Sequence, residues 1–210
     1  MKDLRDFIAK CEEEGQLHRI KAEVDWDLEL SHIAKLNEEK KGPALLFENI
    51  KGYDTPIITS TCTTTERLSI IMGMPKETPL VELMRHWVEI GSRKIPPRVV
   101  DTGPCKENKM TGDQVDLFKF PVPRFFPMDG GRYFGTAHFV VTRDPDSDWV
   151  NVGTYRLQLL EKDILGVQFI KGKHADIMLK KYQAMGKNMP VAVVVGADPL
   201  MFVMGGARFS

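Results

Sequence analysis

Four polar segments in the second half of the chain carry residue types that could do chemistry. The first is Asn151-Val152-Gly153-Thr154-Tyr155-Arg156. In a strand alternate residues share a face, so Asn151, Gly153 and Tyr155 would point one way and Val152, Thr154 and Arg156 the other. Glycine inside a strand is costly unless a bulge or a close backbone approach needs it, and the approach of a ligand is one such reason. Arg156 leads into Leu157, Leu159 and Leu160, where an unpaired charge is expensive, so an anionic partner is expected. A strand with one surface arginine and a glycine bulge accounts for the same letters. The second segment, Lys171-Gly172-Lys173-His174, stands just ahead of a helical pattern, where free N–H groups favour an anion such as phosphate. A solvated turn capped by Asp176 is the simpler alternative. His174 and the amide oxygen of Asn151 would suit Mg²⁺ or Mn²⁺ better than zinc, but two ligands do not define a site. The third, Asp129-Gly130-Gly131 leading to Thr136, and the fourth, Gly196-Ala197-Asp198-Pro199, read as close-approach loops or as plain turns. GxGxxG, Walker A, GxSxG, HExxH and zinc-type cysteine spacings do not occur in the sequence.

The elements that must position these residues follow from periodicity. Leu4, Phe7, Ile8 and Cys11 predict a first helix ended by Gly15, and Leu17–Ile20 a strand. Helices are predicted over 28–39, 63–72 and 79–90, with Leu80, Leu83, Met84, Trp87 and Ile90 on one face of the last and Pro79 in its first turn. Strands are predicted at Ala44–Phe47 and over 56–59. Residues 1–95 thus form an N-terminal α+β domain, closed by the linker GSRKIPP at 91–97. Residues 96–210 turn strand-rich, with runs over 133–142, 150–160, 164–171 and 192–195, one helix over 175–185, and Asp144–Asp148 as a hairpin loop. The ending GGARFS predicts no terminal helix and suggests a fragment or dissected subunit.

Composition narrows the class. The 210 residues are 42% hydrophobic and 28% charged, ordinary for a soluble globular chain. Lys+Arg and Asp+Glu are 29 each, so no global field draws nucleic acid or an anionic membrane. No apolar run approaches the ~20 residues of a membrane helix. The acidic start MKDLRDFIAK is neither a secretory signal nor a transit peptide. Cys11, Cys62 and Cys105 form no CxxC pair or disulfide framework, which points to a reducing, cytoplasmic setting.

Taken together and in order, PRFFPMDGG at 123–131, NVGTYR at 151–156, KGKH at 171–174 and PVAVVVGADP at 190–199 resemble the UbiD family of reversible decarboxylases. MKDLRDFI and GPALLFENIKGYDTPI at 42–57 resemble its N-terminal domain. The resemblance implies an α+β domain followed by part of a flavin-reductase-like split β-barrel, with the family's C-terminal α/β domain absent. It implies prenylated FMN, supplied by a flavin prenyltransferase, and an aromatic or α,β-unsaturated carboxylic acid as substrate. Asn151 and His174 are then implied as ligands of Mn²⁺ or Mg²⁺, with K⁺ nearby. Thr154, Tyr155, Arg156, Gln168, Phe169, Ile170, Lys173 and His174 become cofactor contacts, Thr136 lies on the substrate side, and Arg156 is the arginine of a catalytic Glu–Arg–Glu network. The third metal ligand and both catalytic carboxylates would lie beyond these residues. A homo-oligomer or a completing subunit is therefore expected, and a non-catalytic flavin-binding or assembly subunit is the alternative.

Overall fold

The computed structural model describes residues 2–93, 95–134 and 137–207. Helix α1 (Leu4–Glu13) starts at Asp3, whose side chain accepts from the N–H groups of Arg5 and Asp6 at 2.9 and 3.0 Å. Strands β1 (Leu17–Ile20) and β2 (Ala44–Phe47) run parallel, joined through α2 (Glu29–Glu39), and β3 (Ile57–Thr59) returns antiparallel on the other side of β2. A parallel pair needs such a crossover. Alternation along these strands separates two apolar clusters. Leu45, Phe47, Ile20 and Ile57 join Val24, Leu30 and Ile50 on one face. Leu17 and Ile58 join Phe7, Cys11, Ile70 and Ile71 on the other, under α1 and α3 (Thr65–Ile71).

Helix α4 (Leu80–Gly91) begins after Pro79, which is its N-cap rather than part of its first turn. Of the predicted face only Leu83 is buried; Leu80 and Met84 are more than half exposed, because no other described element covers them. Three single 3-10 turns follow, at Pro104–Lys106, Gly112–Gln114 and Leu117–Lys119.

The long predicted strands break. The run over 133–142 becomes β4 (Tyr133–Phe134) and β5 (Phe139–Arg143), and the run over 150–160 becomes β6 (Val150–Gly153) and β7 (Leu157–Glu161). Each break moves the chain from one sheet to another, since β4 pairs with β7 and β5 with β6. With β8 (Ile164–Val167) and β9 (Val191–Val194) the sheets are ordered β4-β7-β8 and β6-β5-β9. Val140 of β5, Phe134 of β4 and Leu157 and Leu159 of β7 share one apolar cluster with Val122. The architecture is α+β as expected, and its described sheets are small and open rather than closed into a barrel.

Helix α5 (His174–Ala184) follows β8. The sequence predicts no helix near the end, but α6 (Pro199–Gly206) forms there. GADP is its start, with Asp198 accepting from Leu200 N at 2.9 Å and Pro199 in the first turn. Its residues are almost all apolar, so it shows no polar face to reveal a helical period. Leu200 packs into the cluster of α1 and α3.

Besides this contact of Leu200, a seam of hydrogen bonds joins the two halves of the chain. Leu28 N donates to Arg124 O (3.1 Å), Arg124 N to Trp26 O (3.2 Å), and Ser31 Oγ to Phe125 O (2.8 Å). The Arg132 guanidinium lies 4.0 Å from the centre of the Trp26 ring and donates to Tyr53 OH at 2.7 Å.

Candidate functional site

The hairpin β5–β6 places Thr142 directly opposite Asn151, and both are buried. Asn151 Nδ2 donates to Thr142 Oγ1 (3.1 Å) and to Tyr155 OH (3.2 Å). Its Oδ1 lies 3.2 Å from Nδ1 of His174, the first residue of α5. Tyr155 OH also takes the backbone N–H of Ala175 at 3.3 Å, so one hydroxyl ties β6 to the head of α5. The Trp149 ring meets the His174 ring edge-on at 4.8 Å between centres. An amide oxygen and an imidazole nitrogen, far apart in sequence, thus meet at a helix start.

Gly153 is needed where the sequence suggests, but the close approach comes from within the chain. A Cβ there would lie 2.6 Å from Cε2 of Tyr155, whose ring covers the glycine and meets Phe169 edge-on at 5.0 Å. Residues 154–156 are not strand; they cross from one sheet to the other. Thr154 is exposed there. Arg156 is exposed rather than buried in an apolar run, which removes the expected cost of an unpaired charge. Its guanidinium carbon sits 5.9 Å from the Tyr133 ring centre, and no carboxylate pairs with it among the described residues. Arg156 O accepts from Gln168 N at 3.2 Å, which brings the second expected segment alongside. Ile170 is exposed, and its carbonyl accepts from Lys173 N at 3.1 Å. Thr136 lies outside the described residues.

The KGKH turn is built by Gly172 at φ +81°, which favours glycine, and Lys173 is the N-cap of α5. Asp176 Oδ2 accepts from Gly172 N at 2.7 Å and pairs with Lys180 at the same distance; these two contacts, the ammonium first, hold its carboxyl below the usual range. The N–H groups of Gly172 and Ala175 are therefore already engaged, and the exposed side chains of Lys171 and Lys173 remain to meet an anion. At 3.2 Å, Asn151 Oδ1 and His174 Nδ1 are about as far apart as neighbouring ligands of a small octahedral cation. The donors fit such an ion, though among the described residues no group of three or more His, Cys, Asp or Glu converges to complete it.

The sequence reading missed Thr142 and Met178. Thr142 Oγ1 lies 3.2 Å from the buried Met178 Sδ; counting back across the Asp144–Asp148 loop would set Thr142 opposite Val150, one residue off the observed partner Asn151, so spacing alone did not reveal it.

The structure thus sets a paired amide and imidazole at the head of a helix, beside a basic turn and on small open sheets. Residues 98–210 match the family model of the 3-octaprenyl-4-hydroxybenzoate carboxy-lyase Rift-related domain, residues 8–87 match that of the same carboxy-lyase's N-terminal domain, and the chain belongs to this UbiD family. A phenolic acid decarboxylase of Sedimentibacter hydroxybenzoicus is 37% identical over 216 residues, covering 97% of this chain and 44% of that protein. The vanillic acid decarboxylase ShVdcCD of the same organism, in closed form, matches with a TM-score of 0.90 at 34% identity, over 98% of this chain and 45% of its own. An evolved dimeric form of the UbiD-class enzyme HmfF from Pelotomaculum thermopropionicum, in complex with prFMN, matches at 0.83 and 32%, over 95% and 45%. The chain spans less than half the length of these relatives. No helix among the described residues is long and apolar enough to cross a membrane.

Proposed function

We propose that this chain carries the cofactor-phosphate and metal side of a prenylated-FMN-dependent carboxy-lyase acting on an aromatic or α,β-unsaturated carboxylic acid. The observation that carries the reading is the 3.2 Å approach of Asn151 Oδ1 to His174 Nδ1 beside the basic turn 171–173. Family membership, the phenolic acid decarboxylase relative and the prFMN complex of HmfF support it. Bound there, the prenylated flavin would supply an electron sink for the charge left as CO₂ departs. Asn151 and His174 would hold Mn²⁺ or Mg²⁺, and Lys173 would face the phosphate. Thr154, Gln168, Phe169 and Ile170 would border the flavin, and Thr136 the substrate. Arg156 would grip a carboxylate with two parallel N–H donors, a geometry lysine does not offer. The carboxylates working with Arg156 would come from polypeptide beyond these residues. ShVdcCD, solved also with a truncated ShVdcD, supports the idea of a completing subunit. The division into 1–95 and 96–210 belongs to this reading, supported by the separate matches over 8–87 and 98–210.

The test is Mn²⁺-dependent binding of FMN by calorimetry, with riboflavin as the phosphate-free control, followed by CO₂ release from phenolic acids after co-expression with a flavin prenyltransferase. Mn²⁺ should tighten FMN but not riboflavin, and Asn151→Ala should lose that gain. FMN binding indifferent to both Mn²⁺ and Asn151→Ala would overturn the site. Phosphate-dependent binding with no CO₂ release in any completed assembly would favour a non-catalytic flavin-binding subunit.

A further inference from the structure

The amide of Asn151 could turn either its oxygen or its NH₂ toward His174, and its buried neighbours decide which. Met178 Sδ can only accept a hydrogen bond. Thr142 Oγ1, 3.2 Å from it, has a single proton and donates it to the sulfur. Toward Asn151, 3.1 Å away, the same hydroxyl is therefore an acceptor and demands a donor. Tyr155 OH, already accepting from Ala175 N at 3.3 Å, stands 3.2 Å from the same amide nitrogen and has a lone pair left for it. Only the NH₂ satisfies both, so Oδ1 faces His174. Thr142 is about 1% exposed and Met178 not at all, so no water replaces either partner.

We infer that Thr142 and Met178 are positioning residues: a sulfur-to-hydroxyl-to-amide relay that locks the Asn151 carbonyl oxygen toward the His174 imidazole. Its consequence for metal binding rests on the proposed function; the lock itself does not. Losing the hydroxyl leaves the NH₂ with one fewer acceptor, and a reversed amide would present N–H hydrogens where a cation needs a lone pair.

The experiment compares Thr142→Val, Thr142→Ser and Met178→Leu. Without metal, the Asn151 side-chain NH₂ is followed by ¹⁵N NMR, assigned through Asn151→Asp. Slow exchange with D₂O is expected in the wild type and in Thr142→Ser, and faster exchange in Thr142→Val, with Met178→Leu between them. With metal, Mn²⁺ binding read by EPR should weaken by roughly tenfold or more in Thr142→Val, the usual scale for losing an outer-shell partner, and recover in Thr142→Ser. Exchange unchanged in both Thr142→Val and Met178→Leu would overturn the lock. Mn²⁺ binding abolished by Asn151→Ala but untouched by Thr142→Val would also overturn it. A lock visible by exchange, together with Mn²⁺ binding indifferent to Asn151→Ala, would uphold the inference and remove the metal reading instead.

Discussion

Gly153 shows how one missing side chain organises its surroundings. An added Cβ would fall 2.6 Å from Cε2 and 2.9 Å from Cζ and OH of Tyr155, far inside normal contact. Gly153→Ala must displace the ring, and with it the hydroxyl that orients Asn151 and Ala175. Overpacking of this kind costs about 1–3 kcal/mol, so the urea midpoint should fall, and the double variant with Tyr155→Ala should show a coupling between the two sites rather than additive losses. The cysteines differ for a related reason. Burial pushes the Cys11 thiol up to about 12 and raises that of Cys62 as well, whereas Cys105 is exposed. The thiolate is the reactive form. At pH 8 an alkylating reagent should therefore label Cys105 first and Cys11 only on unfolding, as read by mass spectrometry; equal rates would contradict the burial.

At the scale of elements, α5 is stapled to the β5–β6 hairpin. Lys181 Nζ lies 2.7 Å from Asp144 Oδ2 and 3.2 Å from Asp146 Oδ2. The Lys181 ammonium, and then the N–H of Asp146, hold the Asp144 carboxyl below its ordinary 3.8. The pairing raises Lys181 in return. A depressed carboxyl contributes stability above its unfolded pKa and loses it as pH falls through the folded value. A raised lysine contributes below its ordinary 10.5 and loses that as pH rises. Stability should thus be level near neutrality and drop below about pH 4, and Asp144→Asn should flatten the acid limb in urea titrations at pH 3 and 7. An unchanged acid slope would take the staple out of the account. Helix α1 offers a simpler test. Asp3→Ala removes both N-terminal acceptor contacts, and about 1 kcal/mol of stability should go with them in thermal or urea unfolding.

Across the whole molecule, Arg132 pins the seam by stacking on Trp26 and donating to Tyr53 OH and to Val122 O at 2.6 Å. Arg132→Met keeps much of the packing but loses the donors and the cation–π contact, together worth about 2 kcal/mol. Urea unfolding followed separately by far-UV CD and by tryptophan fluorescence should then give curves that part, where the wild type gives one; coincident curves in the variant would contradict the pin. Uncovered apolar surface sets the other global property. β9 lies at the edge of its sheet with Val191 and Val193 exposed, and Leu80, Val81, Met84 and Val88 of α4 are more than half exposed. Open edges and large apolar faces promote association. Sedimentation should show concentration-dependent self-association that Val193→Lys reduces; a monomer at every concentration would argue that these faces are inert.

Local patterning alone determined most of the elements and their order. The 3.6-residue spacing of Leu4, Phe7, Ile8 and Cys11, the run Ala44–Phe47 and the loop Asp144–Asp148 each specify a structure through neighbours in sequence, and each formed where expected. The motifs also sufficed to place the chain in its family. Tertiary structure decided what periodicity does not encode. A period of two reveals a strand but not its sheet, so the passage of the chain from the sheet of β4 to that of β5, and from the sheet of β6 to that of β7, was invisible. The apolar stretch after Pro199 has no polar face to betray α6, and the apolar stripe of α4 did not guarantee a partner to cover it. Nor could spacing show that the body against Gly153 is Tyr155, or that Thr142 and Met178, nine and twenty-seven residues from Asn151, fix the direction of its amide. A hydrogen-bond network is set by which donors and acceptors meet in space, and only the packed chain brings them together.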